Sequence, residues 1–167
     1  MSTLSNMFRK FSKGQSIVEI SLMTPILLVM LYIPADFGVA FFMGNLTANA
    51  AREGARIGSG LGKSAGADYS ATEAVAVKNA VFARLPAWLT NKSVNVRFYE
   101  GTACMEFIEV TAQGNYNFFL YQIMNLFGGN IQNPVAISRT TQMRYNYQVA
   151  DNNTACAATT VNQTYTN

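Results

Sequence analysis

Apolar and polar positions divide this chain into an apolar N-terminal third and an alternating remainder. After a polar, basic start, residues 20–35 run sixteen positions without a charge, and fifteen more, residues 37–51, follow the single Asp36. A membrane-spanning helix needs ~20 mostly apolar residues. The pattern therefore predicts a span at about residues 17–42, with Pro25 and Pro34 as local kinks whose lost backbone hydrogen bonds neighbouring helices offset. Helical character continues through MGNLTANAAREGARIG, with Arg52, Glu53 and Arg56 on wetted faces, until Gly58, Gly60 and Gly62 break it. One helix from Gln15 to about Ile57 is roughly 65 Å long at ~1.5 Å per residue, about twice a ~30 Å hydrocarbon core. Half of it must stand outside the bilayer, as a stalk that ends in a soluble domain.

The remainder predicts that domain. SATEAVAVKNAVFARLP reads as a helix with a Ser70/Glu73 capping box, an apolar stripe of Ala74, Val77, Val81 and Leu85, and Pro86 as its stop. Three strand-like runs follow. Val94, Val96 and Phe98 alternate cleanly; residues 105–111 alternate less cleanly; residues 135–149 place Val135, Ile137, Thr141, Met143, Tyr145, Tyr147 and Val149 on one face. Between the last two, NFFLYQIMNLFGG suits a short apolar helix capped by Gly128. Its cluster of Phe118, Phe119, Ile123, Leu126 and Phe127 reads first as core and second as a contact surface for a neighbouring subunit. The expected fold class is α+β: a long N-terminal transmembrane helix extending into a small domain with a second helix and an antiparallel sheet of three or four strands. The expected boundaries are a basic leader at 1–14, the membrane and stalk helix at 15–58, the body at 59–150, and a polar Asn- and Thr-rich tail at 151–167.

Charge sharpens the topology. Net charge is +3, and Arg9, Lys10 and Lys13 precede the apolar run; without them the chain carries nine basic and nine acidic residues. Those three hold the N-terminus in the cytoplasm by the positive-inside rule and leave the rest outside. The neutral body offers no basic field for nucleic acid. No histidine is present, and Cys104 and Cys156 are the only cysteines, which argues against zinc and Ser-His-Asp chemistry. In an exported domain the two thiols read as one disulfide; in the cytosol they would stay reduced.

The stretch GQSIVEISLMTP places a carboxylate, Glu19, at the start of the span, where a charge costs up to ~2.5–3.5 kcal/mol at the centre and less near an edge. An interfacial charge is one reading. The other is a cut after Gly14: the new α-amino group of Gln15 would then lie one helical turn from Glu19, close enough to pair within the chain or with a neighbouring copy.

The order of basic leader, Gly14, Glu19 at the fifth position past it and a Pro-containing apolar helix resembles a class III signal cleaved by a prepilin peptidase. With Gln15-Ser16, Val18, Pro25, Asp36-Phe37-Gly38 and Ala50-Ala51-Arg52-Glu53-Gly54-Ala55-Arg56, it resembles the N-terminal signature of TadE-like proteins, minor pilins or pseudopilins of tight-adherence (Tad) pili. Pro34 is not part of that pattern. The resemblance implies a structural, non-enzymatic protein with no cofactor, single-pass in a bacterial inner membrane, its C-terminal domain periplasmic or carried into an extracellular pilus. It implies as partners the membrane, a prepilin peptidase, the major Tad pilin, another minor pilin, and the assembly platform with its ATPase. The alternative is a single-span envelope or surface protein whose binding domain never enters a filament.

Other candidate sites carry less. Ala48-Asn49-Ala50 has the form of a signal-peptidase site, but the apolar run exceeds an ordinary secretory signal. GSGLGKSAG lacks the first glycine of a phosphate-binding loop, Ile57 standing there, and follows a helix rather than a strand. Glu106 and Glu109, three apart on a strand, face opposite sides and read as solvated or rim positions. The sequons at Asn45, Asn91, Asn152 and Asn162 are assigned no role.

Overall fold

The computed structural model describes residues 2–61, 71–100, 105–126, 128–130, 134–145 and 161–166. Helix α1 spans Ser2–Gly60, α2 Ala71–Phe82 and α3 Phe119–Leu126; the strands are β1 (Thr90–Glu100), β2 (Glu106–Asn117), β3 (Pro134–Arg144) and β4 (Val161–Thr166). The fold is α+β, as expected. The chain divides into two units, Met1–Val39 and Ala40–Asn167. The first is the greater part of α1, whose apolar segment is long enough to cross a membrane.

Helix α1 departs from expectation at both ends. It begins at Ser2 and passes through Pro25 and Pro34. Nothing in the leader before Gly14 breaks a helix. At the other end Gly58 continues it, because the lack of a side chain there serves packing rather than termination. A Cβ on Gly58 would lie 2.0 Å from Ile108 Cδ1, and one on Gly54 2.3 Å from Val81 Cγ2 and 3.3 Å from Val110 Cγ1.

The second unit is a four-stranded antiparallel sheet in the order β3-β2-β1-β4. One face carries Val94, Val96 and Phe98 of β1 opposite Ala112, Val110 and Ile108 of β2, with Ile137 of β3 beside Gly114; all seven non-glycine side chains are buried. Residues 40–60 of α1 pack on this face through Met43, Thr47, Ala50, Ala51 and Ala55. Thr47 is buried because its hydroxyl donates to the Met43 carbonyl, 2.8 Å away, so no polar atom is stranded. Helix α2 buries Ala74, Val77 and Val81 of the predicted stripe, and Leu85, also buried, follows in the turn after the helix, which ends at Phe82 rather than at Leu85; Ser70 of its expected capping box lies outside the described residues.

The opposite sheet face is polar. Thr111 and Thr140 hydroxyls meet at 2.9 Å, and the Asn95 amide donates to Asn162 Oδ1 and Thr164 Oγ1 at 2.7 Å each. Arg97 stacks over Tyr99 at 4.8 Å, itself stacked on Phe107 at 5.8 Å. Strand β4 comes from the Asn- and Thr-rich tail and pairs with β1 from Ser93↔Thr166 to Phe98↔Val161. Strand β2 runs beyond the expected Thr111 to Asn117. On β3 and just after it, Ile137 and Tyr145 are buried, but Val135 is exposed; Tyr147 and Val149 lie outside the described residues. Glu106 is buried rather than solvated, its carbonyl accepting the Tyr145 amide at 3.0 Å.

Substituting Gly54 tests the close approach. Gly54→Ala gains ~1 kcal/mol of helix propensity but drives a methyl into a stiff β-branched Val81, an overpacking cost of ~1–3 kcal/mol. The variant should unfold at lower denaturant, by circular dichroism in detergent, than Gly60→Ala, where a Cβ meets nothing within 4 Å. Equal stability of the two would contradict this packing.

Candidate functional site

The sequence points to α1 as the functional element, and its side chains sort by what surrounds them. Glu19 is exposed, amid exposed Ile17, Val18, Ile20 and Leu22. Gln15 stands four residues before it on the same helix, the spacing that places two residues on one face. Thr24 returns its hydroxyl to the Ile20 carbonyl at 2.7 Å, which satisfies a polar group inside an apolar run. Asp36, the one charge between the two uncharged runs, is only 8% exposed; its carboxylate is shielded rather than presented to lipid.

Past Val39 the helix becomes two-faced. Ala50, Ala51, Gly54, Ala55 and Gly58 form the packed side, while Arg52 and Arg56 face out. Glu53 accepts from Arg56 Nε and Nη2 at 2.8 and 2.7 Å and reaches Arg84, just beyond α2, at 3.1 Å. The hydrogen bond from Arg56 lowers the Glu53 pKa against an opposing desolvation, with the charges of Arg56 and Arg84 adding to the lowering. An exposed ion network of this kind orients the helices more than it stabilises them.

Residues 14–56 match the TadE-like protein family. Over that segment the chain is similar to TadE-like proteins. No curated protein and no solved structure matches the chain. The match associates this segment in general terms with Tad-type pili and a minor-pilin type of role, and the long apolar helix fits a membrane-anchored protein. The matched segment is α1 almost from the leader junction to the last turn of the packed stalk. Its alternation of small and charged residues therefore has a mechanical meaning: small residues let the helix meet the sheet at backbone distance, and charged ones keep its outer side wet.

The remaining candidate residues do not converge. Cys104 and Cys156 lie outside the described residues. Glu106 and Glu109 stand on opposite faces of β2, as their spacing predicts. Burial, with the charges of Glu73 and Glu106 adding to it, raises the Tyr145 pKa and keeps it a neutral phenol. Reading Gly58 as a helix breaker missed its packing role, and that of Gly54 was not foreseen either; their four-residue spacing, in line with Ala50, was the available signal.

Proposed function

We propose that this chain is a membrane-anchored, non-enzymatic minor pilin of a Tad-type pilus. The observation that carries this reading is the coincidence of the family match, residues 14–56, with one helix that is apolar at first and packs into a sheet domain at its end. The N-terminus faces the cytoplasm and the sheet domain the periplasm, in line with Arg9, Lys10 and Lys13 before the span. A prepilin peptidase removes residues 1–14; the major Tad pilin, a fellow minor pilin and the platform with its ATPase are the remaining partners.

Processing is the first test. Gly14→Val should block removal of the leader, because a branched side chain replaces the small residue at the cut. Mass spectrometry of the protein from the cell envelope should find Gln15 at the mature N-terminus of the wild type and the intact leader on the variant. A variant cut normally at the same bond would overturn the assignment.

Glu19 acts in assembly rather than insertion. Glu19→Ala relieves a burial penalty, so membrane insertion should be unchanged, whereas pairing with the Gln15 α-amino group is lost. Cells with the alanine variant as their sole copy should insert the protein yet show few pili by electron microscopy. Full piliation would refute the role.

Cys104 and Cys156 form one disulfide in the periplasm. The loop between them holds fifty-one residues, for which chain entropy allows ~4 kcal/mol, commonly less in practice. Alkylation before and after reduction, with peptide mapping, should label neither thiol until reductant is added. Two free thiols on protein isolated without reductant would remove both the bond and the support it gives to export.

A further inference from the structure

The second unit gathers its exposed apolar side chains at one end. Gly54 and Gly58 of α1 pack level with Val110 and Ile108, and a Cβ placed on Gly44 would lie 3.2 Å from Arg139 Nη2, Arg139 being the partner of Ala112. The helix therefore runs along β2 from the Asn117 end toward the Glu106 end, and the chain enters this unit at the Asn117 end. The turn after α2 reaches the same end: Leu89 packs on Gly114, and the Thr90 hydroxyl donates to the Asn115 carbonyl at 3.2 Å. Helix α3 starts there too, tied to β2 by edge-to-face pairs of Tyr116 with Phe118 and Phe118 with Tyr121 at 5.3 and 5.7 Å. Gly128, at φ 90°, ends it as expected.

What this end presents to its surroundings is apolar. Trp88 is 70% exposed, Phe119 50% and Leu126 83%, with Met124, Phe41 and Phe42 also exposed. No residue of α3 is buried, so it adds to this surface and not to the core that its composition suggested. Among the described residues of this unit, Val135 is the only other large exposed apolar side chain at this end, and Val75 on α2 the only one away from it. Charge follows the same division. No acidic residue occurs in residues 74–99 or 110–150; the sheet acids Glu100, Glu106 and Glu109 lie in the other half, while Lys92 and Arg139 lie in this one.

We infer that this end of the domain rests on the membrane surface, with Trp88 and α3 seated at the lipid headgroup and upper acyl level. The inference rests on α1 being a membrane anchor. Phe42, the last residue of the span expected from the sequence, is two residues from Gly44, or ~3 Å of helix, so the apolar rim continues the surface that lipid already covers. An exposed Trp and a short helix with an apolar outer side are what the interface favours. Cations without neighbouring acids suit anionic headgroups.

Trp88 is the sole tryptophan, so its fluorescence reports this contact. The full chain is reconstituted into phosphatidylethanolamine/phosphatidylglycerol vesicles, with and without phospholipid brominated near the top of the acyl chain, and insertion is checked by flotation. Brominated lipid should quench Trp88 strongly, and a water-soluble quencher only weakly. The double variant Phe119→Asp, Leu126→Asp, altered only at exposed positions, should float equally well and lose the lipid quenching. A floating wild-type protein quenched from water and untouched by brominated lipid would overturn the inference. So would a Trp88 shielded from both quenchers, which would assign the rim to a protein neighbour. Failure to float would instead remove the anchor, and the inference with it.

Discussion

The backbone of α1 comes so close to α2 at Gly54 and to the sheet at Gly58 that an added methyl at either position would force Val81 or Ile108 to shift. Everything else in the domain is arranged around that contact. A helix can approach a sheet so closely only where its side chains are small, and the buried face of residues 43–59 is made almost wholly of Gly, Ala, Ser and Thr, with Met43 at its start. The bulk that fills the core comes instead from the partners, Val77, Val81, Phe98, Ile108 and Val110. Without residues 40–60 of α1 the sheet would expose that apolar face, so this part of the helix belongs to the domain's core.

One helix thus answers to two environments. Among the described side chains of the first unit, residues 15–39, most large ones are apolar and exposed, which suits an apolar surrounding such as lipid. After Val39 the pattern becomes one-sided, with small residues inward and Arg52, Glu53 and Arg56 outward. The TadE-like segment spans both regimes, which accounts for a signature that mixes long apolar runs with an Ala-Gly-Arg-Glu motif.

Much of this was legible from periodicity. The long apolar run, the α2 stripe at Ala74, Val77, Val81 and Leu85, and the alternation of β1 each bury one face, and burial leaves a period in the sequence. Strand β4 was missed because its inward residues include Gln163 beside Tyr165; an edge strand pairing with β1 needs backbone hydrogen bonds more than apolar side chains. The apolar cluster at α3 misled in the other direction: Phe118 is buried as core, but Phe119 and Leu126, which look like core when composition is read without geometry, are exposed, and Phe127 lies outside the described residues. The burial of Glu106 left no local signal, because it depends on Tyr145, thirty-nine residues away in sequence. The roles proposed for Gly14 and Glu19 rest on resemblance and charge placement.

The claim that a single helix serves both environments is best tested by spin labels placed one at a time along residues 17–60, comparing collisions with oxygen, which partitions into lipid, and with a water-soluble nickel complex. The account predicts high oxygen access on every side of the helix across most of the stretch to Phe42, and from Met43 onward a period of about 3.6 residues. In that second stretch Thr47, Ala50, Ala51 and Ala55 should be shielded from both reagents, and Asn45, Asn49, Arg52 and Arg56 open to nickel. Nickel access throughout the first stretch, or oxygen access on all sides past Ala50, would contradict it.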